Sequence, residues 1–184
     1  MTKTEFERIS AVRGVTQIGF LVNDIFCTMD HWCEEHGVGP WKLYRHTRDR
    51  LQNVVCQEGI CEEDFAFYTA SAMLGDLQLE VMQPISGIPF YSSWLAEKGP
   101  GLHHFKETVP DEVFADVLDY YGSQGMGILF GGEFFGSKFY FIDSVPELGV
   151  LIEIGNGKSP QGAPVEWMSF YPSASENSSL IQTG

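Results

Sequence analysis

Apolar and polar residues alternate along two segments that echo each other: Thr16–Asp24 reads TQIGFLVND and His103–Asp111 reads HHFKETVPD. Each predicts a short strand, near 15–22 and 103–109, running into an Asp placed to cap a helix. The first helix spans Asp24 to about His36, with Ile25, Met29, Trp32 and Cys33 on one face, and Gly37-Val38-Gly39-Pro40 stops it. The second spans Asp111 to about Gly122, with Phe114, Val117, Leu118 and Tyr121 on one face. Trp41–Arg45 reads as a strand, and Phe65–Leu74 with Leu77–Met82 as a hairpin turned at Gly75-Asp76. Met126–Phe130, Lys138–Ile142 and Gly149–Ile154 are the remaining strands, with Gly131-Gly132 and Asp143–Pro146 as turns. Between His46 and Asp64 the pattern breaks down, which predicts a long loop or ragged hairpin. Residues 1–13 read as a loose lead-in.

The order is strand, helix and three strands, twice. It predicts an α+β fold of two βαβββ repeats forming a curved mixed sheet, each repeat burying one sheet face under its helix and leaving the other free for a central cavity. The expected organisation is a single domain: repeat one (about 14–84), a connector (85–100) with a short helix at Tyr91–Lys98, repeat two (101–156), and an irregular tail (157–184) carrying Trp167, Phe170 and Tyr171.

Charge narrows the partners. With 11 basic against 25 acidic residues the net charge is −14, which repels nucleic acid and anionic membranes, and a polyanionic substrate would need a local basic patch. No window approaches a membrane span, and the N-terminal stretch lacks the apolar core of a signal peptide, so a cytoplasmic setting is expected. Cys27, Cys33, Cys56 and Cys61 show no CxxC spacing and read as free thiols.

Overlaying the two halves puts Gln17 on His104 and Glu80, in Leu77–Met82, on Glu153, in Val150–Ile154. Taken singly, a Glu or Gln in a strand faces solvent and a lone His is a satisfied polar residue. Four metal-competent side chains at matched positions of apolar strands are a candidate metal site. One imidazole, two carboxylates and one amide oxygen suit a divalent ion such as Zn, Ni, Co, Mn or Fe. Strand alternation places Leu21 on the face of Gln17, Met82 on that of Glu80, and Lys106 on that of His104, which makes these three candidate substrate-binding residues. Lys106 could orient a substrate carboxylate or snorkel to a neighbouring acid, and Glu107 then faces the helix side, an uncomfortable place that points to a bulge. Arg45, His46 and Arg48 read as a solvated charged loop, with a lid as the alternative. The many Phe, Tyr and Met residues suit a small-molecule substrate with an apolar or aromatic body.

Thr16–Asp24 with Gly37–Trp41, Leu79-Glu80-Val81-Met82-Gln83-Pro84, Gly101–His104 and Leu151-Ile152-Glu153 together resemble the vicinal oxygen chelate superfamily, particularly its glyoxalase-like and methylmalonyl-CoA epimerase-like members, over about residues 14–156. The resemblance implies the glyoxalase/bleomycin-resistance/dioxygenase fold and metal ligation by Gln17, Glu80, His104 and Glu153. It also implies a homodimer, with Glu153 and Glu80 as the proton-moving carboxylates of a lyase or isomerase/epimerase acting on a small carbonyl or hydroxycarbonyl compound. Leu21 and Pro84 stand where glyoxalase I has its glutathione-binding Arg and Asn, which argues against a glutathione substrate. Phe65–Leu74 holds no carboxylate to act as an epimerase's second base, so Glu80 would have to serve. A metal-free, drug-sequestering protein of the same fold and an Fe(II) ring-cleaving dioxygenase are the alternatives.

Overall fold

The computed structural model describes residues 1–57 and 59–172. Repeat one comprises β1 (Gly14–Leu21), α2 (Ile25–His36), β2 (Trp41–Thr47), β5 (Ala66–Leu74) and β6 (Leu77–Ser86), after a short α1 (Lys3–Arg8) and with β3 (Gln52–Cys56) and β4 (Gly59–Ile60) inserted. Helix α3 (Pro89–Lys98) leads to repeat two: β7 (Gly101–Thr108), α4 (Asp111–Ser123), β8 (Ile128–Phe134), β9 (Ser137–Ile142), a turn-like α5 (Val145–Leu148) and β10 (Leu151–Gly155); β11 (Met168–Tyr171) follows.

Among the described residues the strands form one sheet in the order β11-β2-β5-β6-β1-β7-β10-β9-β8-β3-β4. The repeats meet at its middle, where β1 and β7 run antiparallel, with β6 and β10 parallel to them on either side. Helix α2 buries Ile25 and Met29 against Trp41, Leu43, Leu79 and Val81, and α4 buries Phe114, Val117 and Tyr121 against Tyr140, Ile152 and Ile154. Both helices therefore cover the same side of the sheet. On the other side Phe65, Phe67, Tyr91, Phe130 and Phe134 close one end of the trough between the repeats.

Several elements depart from expectation. The lead-in is helical because Thr2 and Glu5 form a reciprocal capping box, and Phe6 then stacks on Tyr120. In the 46–64 stretch alternation continues to Thr47, and β3 crosses to pair with β8 of the other repeat. Cys56 and Cys61 are not free thiols but a disulfide, brought together by the β3–β4 hairpin; Cys27 and Cys33 are free. Gly131 and Gly132 are not a turn. They lie inside β8, where a Cβ on Gly131 would come 2.5 Å from Tyr140, and the turn falls instead at Phe135 and Gly136. Asp24 caps α2 by accepting from the Cys27 amide, whereas Asp111 is the first residue of α4, not its cap, and instead holds Lys138, Lys158 and Asn156. Gly149, expected as the first residue of the last strand, instead ends α5 in the left-handed region, and β10 starts at Leu151. Part of the tail is strand β11, which extends repeat one at β2; the rest of the tail (173–184) lies outside the described residues. Among the described residues no helix is long and apolar enough to cross a membrane.

Candidate metal and substrate site

The four central strands carry two cross-strand rows. One runs Gln78–Gln17–Lys106–Glu153 and the other Glu80–Gly19–His104–Leu151. Strand side chains alternate between faces, so both rows point into the trough. The His104 ring lies across Gly19: a Cβ there would fall 1.9 Å from its Cε1. Only a glycine leaves the imidazole this place.

His104 Nε2 is the point on which the ligand candidates converge. Glu153 Oε2 lies 2.9 Å from it, Gln17 Oε1 3.4 Å and Glu80 Oε2 3.6 Å. Gln17 is fixed from behind, its amide nitrogen donating to Gln78 Oε1 at 2.6 Å, which turns its oxygen toward His104. Among the described residues two groups of three His, Cys, Asp or Glu side chains converge within metal-binding range. Glu80, His104 and Glu153 form the enclosed one, while His31, Glu35 and His36 are exposed on α2. The donor set of the enclosed site, with the space Gly19 leaves, fits a divalent cation of the borderline-to-hard kind.

Behind His104, its Nδ1 lies 3.1 Å from His103 Nδ1, and both rings are wholly buried. For Nε2 of His104 to offer a lone pair to an ion, its proton must sit on Nδ1 and be donated to His103. A second shell of this kind fixes ligand tautomer and orientation. Burial, and then His104, hold His103 well below the ordinary imidazole range, so it stays neutral and able to accept.

Lys106 Nζ lies 2.8 Å from Glu153 Oε1. Burial raises the Glu153 carboxyl, but Lys106 and His104 outweigh it and hold the group below its ordinary value. Glu80 is shifted the other way: burial raises it, Lys106 opposes and the neighbouring Glu153 charge adds to the rise. Glu107 sits on the helix side, where Arg13 pairs with it and the Tyr121 hydroxyl donates to it at 2.7 Å. The expected irregularity is there too, as a register shift between Val15 and Gln17.

The site opens on a cavity of about 410 Å³ lined by Gln17, Glu80, Met82, Lys106 and Glu153. Leu21 is a correction. It stays on the sheet face of Gln17 and Gly19, because the extra residue at the β1–β7 register shift is His103 of β7, but it is fully buried in the core with Met82 and Tyr91 and does not reach the cavity lining. His46, expected on a solvated charged loop or a lid, and Tyr91, expected only as the start of the connector helix, both line the cavity. His46 is buried in the wall, stacked on Phe67, with Nε2 3.0 Å from Thr69 Oγ1. The alternation Lys42, Tyr44, His46 was the available signal. Tyr91, from α3, lines the cavity, is 1% exposed and makes no hydrogen bond among the described residues. Burial, then the charges of Glu80 and Glu153, push its phenol well above the ordinary range, so it remains a donor. No pattern within α3 marks it.

The family model of the glyoxalase/bleomycin resistance protein/dioxygenase superfamily matches residues 16–117. The chain belongs to that superfamily, the one its motifs resemble. A search of curated proteins finds no match. Among solved structures, a methylmalonyl-CoA epimerase in complex with methylmalonyl-CoA and NH4+ is 22% identical with a TM-score of 0.57, covering 83% of this chain and 99% of that one. The methylmalonyl-CoA epimerase of Mycobacterium tuberculosis is 19% identical with a TM-score of 0.55, covering 77% and 86%. A hypothetical protein from Bacillus halodurans C-125 is 15% identical with a TM-score of 0.57, covering 83% and 99%. These likenesses establish the fold.

Proposed function

We propose that the chain is a divalent-metal-dependent isomerase/epimerase or lyase that moves a proton beside the carbonyl of a small chelating compound, working as a homodimer. The observation that carries this is the meeting of Gln17, Glu80 and Glu153 around Nε2 of one buried histidine, on the wall of a cavity. The ion would be held by Gln17, Glu80, His104 and Glu153, and when bound supplies Lewis acidity toward two substrate oxygens. Glu153 takes the proton. Lys106 holds this carboxylate in its ionised, basic form and keeps it from turning away. Glu80, across the site on β6, returns the proton, because the position paired with it on β5 is Ser71 and the cavity side of that strand holds no other acid. Tyr91 donates to oxygen as charge gathers there, and the Phe139 and Phe141 wall excludes water.

One observation favours a second reading, a metal-free binding protein. His104, Glu153 and Lys106 stand in one chain of close contacts, with Glu153 Oε2 2.9 Å from His104 Nε2 and Oε1 2.8 Å from Lys106 Nζ, which gives the buried carboxylate a counter-charge from the protein itself. Deuterium incorporation from D2O into a panel of 2-oxo acids and hydroxyketones, followed by proton NMR, separates the two. Metal-dependent exchange that disappears in Glu153→Gln is expected. Tight ligand binding with no exchange under any metal loading would leave the binding protein.

A further inference from the structure

The cavity inverts the charge of the molecule. Four of the chain's six lysines, Lys42, Lys106, Lys138 and Lys158, line it, against three carboxylates, Asp76, Glu80 and Glu153, on a chain of net charge −14. Three of these lysines are engaged: Lys106 with Glu153, and Lys138 and Lys158 with Asp111. Lys42 is not. It is only partly exposed, and among the described residues no carboxylate lies within ion-pair distance of it. A cation kept off the open surface without a counter-charge, inside an otherwise strongly acidic protein, focuses the field for an anion.

Register fixes where that anion would sit. Lys42 on β2 pairs with Ser71 on β5, and Ser71 pairs with Glu80 on β6, so the three stand in line across the cavity wall. Strands are spaced by about 4.8 Å, which sets Lys42 about 10 Å along the wall from Glu80. The aromatic wall opposite, Phe134, Phe139 and Phe141, offers no competing charge.

We propose that Lys42, with the Ser71 hydroxyl, is a binding subsite for a terminal carboxylate, and that the substrate is a short chelating acid with one end at Glu80, His104 and Glu153 and its carboxylate at Lys42. One ammonium and one hydroxyl match a singly charged carboxylate better than a phosphate, which draws more donors. The proposal rests on the metal-site reading for the chelating end but not for the anionic end.

The test compares two probes of equal backbone length, 2-oxoglutarate and 2-oxopentanoate, which differ only in the terminal carboxylate. Calorimetric titrations use wild type, Lys42→Met and Lys42→Arg, each with one equivalent of Mn(II) and after EDTA. Wild type should bind 2-oxoglutarate tighter by about fivefold or more, Lys42→Met should lose that preference, and Lys42→Arg should keep most of it. Equal affinities in the wild type, a preference that survives in Lys42→Met, or no binding of either acid overturns the subsite. Failure of the metal reading looks different: the preference persists, but neither affinity responds to Mn(II).

Discussion

Replacing Gly19 by alanine places one methyl group into the centre of the site. The new Cβ would lie 1.9 Å from Cε1 and 2.4 Å from both nitrogens of the His104 ring. The ring has little freedom to yield, being wholly buried, with Phe141 at 5.0 Å between ring centres and His103 behind its Nδ1. The backbone has little either, because β1 is paired on both edges. Overpacking of this kind typically destabilises by about 1–3 kcal/mol. For a chain of this length, where 1 kcal/mol shifts the melting point by about 2–4 °C, the fall is about 2–12 °C. Displacing the imidazole should also weaken divalent metal binding by about 100-fold or more, since disturbing even an outer-shell partner costs about 10–100-fold. Gly14→Ala is the control: the same strand, with nothing within 4 Å of its Cβ, and it should leave both properties unchanged. Scanning calorimetry with and without Zn(II), plus competition titration against a chromogenic chelator, reads both effects. A Gly19→Ala protein that melts and binds metal like wild type would refute the packing of His104 over Gly19.

Three further outcomes follow from buried groups. Arg13→Ala leaves the nearly buried Glu107 with only the Tyr121 hydroxyl, and should destabilise by about 3–5 kcal/mol in urea unfolding; the double variant with Glu107→Gln should recover part of that loss. Burial first, and Arg50 second, lower His46 from 6.5 to about 3, so it is neutral when folded and charged when unfolded at mildly acid pH. The unfolded chain then binds more protons, and stability attributable to His46 is complete above about pH 6.5 and declines as pH falls toward about 3, at up to about 1.4 kcal/mol per pH unit. His46→Gln should flatten that slope, and an unchanged pH–stability curve would place the ring in solvent. Tyr91→Phe keeps the aromatic packing and should lower turnover about tenfold without moving the melting point; equal turnover would remove Tyr91 from the chemistry.

What the sequence made legible was local and periodic. Alternation placed Gln17, Glu80, His104 and Glu153 in strand centres, and the repeat put them in matching places, so the pseudo-symmetric pairing of β1 with β7 was enough to bring them together. Lys106 followed by parity, and it does face Glu153. Features that depend on long-range pairing were not legible. Nothing within Gln52–Cys56 says that it will join the far edge of the other repeat, and the disulfide that this hairpin allows was missed with it. Gly131 and Gly132 carry a turn composition, yet they are required by the close approach of β9. Leu21 kept its expected face but is covered by core packing with Met82 and Tyr91, and alternation gives the face of a side chain, not what packs over it. Glu107 looked misplaced until its partners, Arg13 and Tyr121, were brought from 94 and 14 residues away.

In the proposed function, four residues from two repeats make one metal site. Titration of chelator-treated protein with Zn(II), Mn(II), Co(II) and Ni(II), with elemental analysis of the product, addresses it most directly. About one ion per chain, lost in His104→Ala and weakened in Gln17→Ala and Glu153→Gln, is the predicted result. Absence of binding by the wild type, or binding that none of these substitutions alters, would contradict it.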